Sequence, residues 1–128
     1  MGIGVIETRQ QMAVVSSGAI KIPIIATEDL PAFSVITDTG KVADSTNPFY
    51  KNIIIGIVPE TILDRFSGKV IIMGQIINPL WAWTRGDILY LNGTTISKTP
   101  PTTGFRVMIG QALSATEVDV KITESILL

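Results

Sequence analysis

From residue 20 to residue 122 the chain is written in short runs of β-branched and aliphatic residues, each closed by glycine, proline, asparagine or aspartate. That rhythm predicts strands joined by tight turns, and no stretch carries the 3.6-residue period of a helix of three turns. Residues 20–25 (IKIPII) are apolar but contain Pro23, which cannot donate to a central ladder. They predict an edge strand, or a segment added to a neighbouring sheet. Residues 33–37 predict a second strand, ended by the turn Asp38-Thr39-Gly40, with a return over 41–43 and a loop over 44–51 around Asn47-Pro48.

Residues 53–58 (IIIGIV) are apolar at every side-chain position, the pattern of a strand buried on both faces. Residues 69–73 and 75–78 flank Gly74, a site for a bulge or bend. Between these runs, residues 59–66 fit either one helical turn, with Pro59 at its first position and Ile62 and Phe66 on one face, or an irregular loop. Residues 88–91 and 95–99 read as two strands joined by Asn92-Gly93-Thr94, whose Asn-Gly pair suits a tight hairpin turn. Residues 105–112 and 117–122 close the domain, and EVDVKI in the last run alternates with a period of two, so one of its faces meets a core and the other solvent. The expected fold is all-β, a compact β-barrel or sandwich over residues 19–128, preceded by an extended N-terminal arm over residues 1–18 that ends in Ser16-Ser17-Gly18.

A length of 128 residues is that of one domain with one core. Lys plus Arg number 10 against 11 Asp plus Glu, without a block of like charge, which argues against nucleic acid or an anionic membrane surface as a partner. Cysteine and histidine are both absent. Disulfides, thiolate chemistry, His-dependent triads and His-ligated metals are thereby excluded, and no cofactor is expected. Hydrophobic residues make up 46% of the chain and charged ones 16%, below the roughly 25% charge usual for soluble domains. The longest apolar run stops at Pro59 after six residues, far short of the roughly 20 needed to span a bilayer. The surplus apolar surface is therefore expected to be covered by other protein chains. The opening MGIGVIETRQQ lacks the basic and long apolar regions of a secretory signal, and Ile6 stands where a myristoylation site wants Ser or Thr.

Two short words invite a functional reading. Arg85-Gly86-Asp87 matches an adhesion tripeptide, yet Gly86 suits a turn before the next strand, Asp87 suits an Asx-type cap, and Arg85 is then simply solvated. Asn92-Gly93-Thr94 matches a glycosylation sequon, but the hairpin accounts for it without a secretory route. Gly68-Lys69 lacks the remainder of a phosphate loop, and the Asp38 and Asp44 region fails the calcium-loop pattern. Six aspartates and five glutamates could supply a glycosidase pair, but nothing in their spacing selects one, so no enzyme is expected. Trp81 and Trp83, two apart, share one face of an extended segment and either cap the core or form an aromatic platform for a sugar or a partner chain.

From about Ala32 onward, a series of phrases recurs in a distinctive order: Ala43-Asp44, Ile55-Gly56-Ile57-Val58, Gly74-Gln75-Ile76-Ile77, Arg85-Gly86-Asp87-Ile88-Leu89-Tyr90-Leu91, Thr95-Ile96-Ser97-Lys98, Pro100-Pro101, and Met108-Ile109-Gly110-Gln111-Ala112-Leu113-Ser114-Ala115-Thr116. In this order the chain resembles the small phage capsid cement or decoration proteins and related head- and tail-fibre domains. The resemblance implies a compact β-barrel or sandwich, often trimeric, on the outer surface of a virion and made in the host cytoplasm, with no catalytic residues. It implies other virion proteins as partners, the major capsid protein or fibre subunits. The alternative it leaves open is a fibre component that recognises a host surface glycan or protein. The candidate partner contacts are Ile20, Ile22 and Ile24 on the edge strand, Trp81 and Trp83 on their shared face, and Arg85 beside them.

Overall fold

A computed structural model describes residues 18–128, so the arm expected over residues 1–18 lies outside the described residues except for Gly18. Ten strands follow: β1 (Ile20–Ile25), β2 (Val35–Thr37), β3 (Ile54–Ile57), β4 (Ser67–Ile77), β5 (Ile88–Asn92), β6 (Thr95–Ser97), β7 (Phe105–Arg106), β8 (Met108–Ala112), β9 (Glu117–Lys121) and β10 (Ile126–Leu127). Eight of them form one antiparallel sheet in the order β2-β3-β4-β9-β8-β5-β6, with β1 paired to β4 beside that path. β7 and β10 make a separate two-stranded ladder. The expected all-β class holds, and the sheet curls into a half-barrel.

β4 organises the sheet because it is long enough to serve several partners. Its first part, from Ser67 to Met73, pairs with β1, its second, from Met73 to Ile77, pairs with β9, and Ile71 meets Ile57 of β3. The strand runs unbroken through Gly74, whose φ of +99° lies in the region that favours glycine. A Cβ at that position would sit 2.6 Å from the Cα of Ala19 and 2.7 Å from the carbonyl oxygen of Gly18. Gly74 is thus less a bend in β4 than the opening through which the chain enters β1.

Alternation along the strands divides the apolar residues between two cores. Inside the curl, Ile57, Ile71, Ile76, Leu89, Leu91, Phe105, Ile109, Val118 and Val120 pack together. On the other face of β2, β3 and β4, Ile36, Val58 and Val70 meet Ala26, Leu30 and Ile62 from the flanking loops. The run over 53–58 is therefore buried on both sides, as its lack of polar positions predicts. The final alternation also holds, with Val118 and Val120 buried and Lys121 exposed.

Of the two forms expected for residues 59–66, the irregular loop holds: Leu30 and Ile62 exchange backbone hydrogen bonds at 2.8 and 2.9 Å, which draws the segment out as a cover for the second core. Ile62 is buried and Phe66 exposed, so the two share no face. The return over 41–43 is a single bridge between Val42 and Ile36. The run over 105–112 is divided at Val107 into β7 and β8, and the second hairpin strand stops at Ser97.

Candidate functional site

The segment after β4 is fixed by its turn chemistry. The Asn78 side-chain oxygen accepts the Leu80 N–H at 3.0 Å, the Asn78 carbonyl accepts the Trp81 N–H at 3.0 Å, and the Trp83 N–H donates to the Ala115 carbonyl at 2.9 Å. These bonds hold Trp81 and Trp83 side by side, their ring centroids 6.2 Å apart and their planes tilted by 49°. Phe33 approaches Trp81 edge-on at 5.5 Å and 62°. Both tryptophans are half-buried against the inner core, so the shared face expected of them lines a wall that core and solvent both touch.

The Phe33 backbone is strained to make this wall. Its φ is +67°, a conformation that a bulky side chain rarely adopts and that costs roughly 1–3 kcal/mol. A 2.6 Å hydrogen bond from its N–H to the Val58 carbonyl holds it there. Phe33, Ser34, Trp81, Trp83 and the Thr94, Thr95 and Ile96 side of the hairpin enclose an open cleft of ≈ 310 Å³, and no ionisable side chain lines it. Ser34 Oγ donates to the Pro31 carbonyl and Thr95 Oγ1 to the Asn92 carbonyl, which leaves both oxygens free to accept. Trp83 Nε1 is buried without an acceptor among the described residues, a condition rare enough in native interiors to require a reason.

A second feature is apolar surface at the margin of the sheet. β1 pairs with β4 on one side only, and no other strand among the described residues covers its second edge. Ile20, 49% exposed, pairs with Met73, 52% exposed, at one end of β1. Ile25 is exposed at the other end, and the adjoining turn carries exposed Leu63 and Phe66, tied to Ala26 through hydrogen bonds from Ala26 N–H to the Phe66 carbonyl and from Arg65 N–H to the Ala26 carbonyl. Ile22 and Ile24 instead lie half-buried against the second core. Of the expected edge contacts, Ile20 alone is exposed, over about half of its surface. Further large apolar groups stand exposed at Leu80, at Phe49 and along 126–128.

The two short words resolve into turns flanking β5. Asp87 accepts the Thr84 N–H at 2.9 Å, Gly86 has φ +94°, and Arg85 is exposed beside them. At the other end Asn92 belongs to β5, pairs with Thr95 and bonds the Thr99 carbonyl through its amide. The two-residue loop is Gly93-Thr94, with φ +62° at Gly93 alone, as a type II′ turn requires. Several carboxylates are similarly occupied in holding backbone: Asp29 accepts from Asp64 N–H, Asp44 from Thr46, and Glu28 from Val42. No group of three or more metal-binding side chains occurs among the described residues, nor a helix long and apolar enough to cross a membrane. A smaller cleft of ≈ 220 Å³ beside β1 is lined by Lys21 and Lys69 together with Glu60, whose charge offsets one of theirs.

Comparison with protein-family models, with curated proteins and with solved structures finds no match for this chain. The tryptophan pair and its proximity to the turn at Arg85 were readable from spacing. Phe33, Ser34 and Thr94 were not, because they join the cleft through contacts between distant parts of the chain. The one local sign was Pro31-Ala32-Phe33-Ser34, a turn ahead of a strand.

Proposed function

We propose that this protein is a non-enzymatic structural component of a virus particle, a phage capsid cement or decoration protein that binds the outer surface of the head. The observation that carries this reading is the margin of the sheet along β1, which no other strand among the described residues covers, with exposed Ile20 and Met73 at one end and Ile25, Leu63 and Phe66 at the other. An unpaired strand edge offers backbone donors and acceptors to another chain, and flanking apolar groups add burial. The order of phrases shared with decoration proteins supports the same reading, as does the low charge of the chain.

Such binding stabilises a shell by mass action: a protein that binds the assembled lattice, and not its separated subunits, raises the work of pulling the lattice apart. The partner is the major capsid protein, and assembly as a homotrimer follows from the resemblance. The test is co-sedimentation of the purified chain with heads that lack it. Saturable binding, at a fixed ratio to the major shell protein, is the expected result; a chain that stays in the supernatant at every concentration overturns the reading. The aromatic cleft favours a second placement, in a head or tail fibre that recognises a host surface, which predicts binding to cells and not to heads.

A further inference from the structure

We infer that the cleft between Phe33, Trp81, Trp83 and the Gly93-Thr94 hairpin is a binding site for the terminal ring of a neutral glycan. Three features converge on that chemistry. Two indole rings meet at 49°, and the negative faces of such rings attract the partly positive C–H groups of a pyranose. Ser34 Oγ and Thr95 Oγ1 have their protons committed to main-chain carbonyls, so they accept from sugar hydroxyls. Phe33 is held in a left-handed conformation by its bond to Val58, the kind of outlier that clusters at ligand sites.

The lining also states what the ligand is not. No Lys, Arg, Asp or Glu among the described residues faces the cleft, so a sialic acid, uronic acid or phosphate would enter without a counter-charge from them and lose its hydration uncompensated. The volume of ≈ 310 Å³ lies at the low end of ligand sites, which suits a single ring with the rest of the glycan in solvent. The assignment rests on the cleft alone and holds for a head-bound or a fibre-bound chain. Its failure leaves the head-binding reading to its own test.

Both tryptophans of the chain line the cleft, so intrinsic fluorescence reports this site without background. The full chain is titrated with neutral trisaccharides ending in glucose, galactose or N-acetylglucosamine, and with sialyllactose and a proline-rich peptide as competitors in chemistry. At least one neutral trisaccharide is expected to give a saturable change with a dissociation constant of about 1 mM, the affinity that roughly a dozen well-placed heavy atoms reach at ordinary efficiency. Thr94→Arg, at an exposed turn position, is expected to weaken binding at least tenfold. Trp83→Phe, which keeps Trp81 as reporter, is expected to weaken it severalfold, and Arg85→Ala to leave it unchanged. No saturable response to any neutral trisaccharide overturns the assignment. So does unaltered affinity in both cleft variants, or a response confined to sialyllactose or to the peptide.

Discussion

Gly74 shows how much of the architecture can depend on one missing side chain. With φ at +99° and the backbone of residues 18 and 19 crossing its Cα face, any Cβ must both strain its own residue and push β1 away. Gly74→Ala is therefore expected to cost about 2–3 kcal/mol, the sum of a left-handed conformation and a backbone clash. Gly93→Ala carries the first penalty alone, because nothing lies within 4 Å of its Cβ position, and should cost about 1 kcal/mol. Urea denaturation of the two variants beside the parent measures the difference. Equal costs would mean that β1 does not pass over Gly74 as described.

At the scale of the strand, β4 reads as a row of alternating fates. Ile76 is 3% exposed and belongs to the inner core, while its neighbour Ile77 is 57% exposed. Ile76→Ala is expected to destabilise by about 2–5 kcal/mol, and Ile77→Ala to stay within about 0.5 kcal/mol of the parent. Thermal or chemical unfolding of the pair checks both register and facing, since a slip of one residue would exchange the two results. Alternation of this kind, the doubly apolar run at β3 and the turn residues around β5 made most of the strands legible beforehand. For the segment 59–66 the pattern left a helical turn and an irregular loop both open, because the choice is decided by Ile62 bonding to Leu30, two residues far apart in the chain, and not by helix propensity. Phe33 escaped for a similar reason: its backbone is bent by a bond to Val58, and no local pattern announces a positive φ at phenylalanine. The tryptophan pair was visible as a pair, but its cleft appears only once the hairpin is folded against it.

For the whole molecule, the two candidate surfaces make separable claims. The β1 margin is expected to serve assembly, and the aromatic cleft recognition. Replacing Ile20 by Lys and Met73 by Glu puts opposite charges on paired, half-exposed positions, so folding stability should change by no more than about 1 kcal/mol. Head binding should nonetheless be lost while the fluorescence response to saccharide persists, because the charges must be desolvated where a partner buries them. Co-sedimentation and fluorescence titration on the same preparation read both outcomes. A double variant that still sediments with heads would move the interface elsewhere, toward Phe49 or residues 126–128. The measurement that bears most directly on the structural-protein account is quantitative mass spectrometry of phage particles purified from cells that make this chain, with and without surface proteolysis of intact particles. The account predicts the chain in a fixed ratio to the major shell protein and accessible to protease from outside. A chain abundant in infected cells but absent from the particles would contradict it.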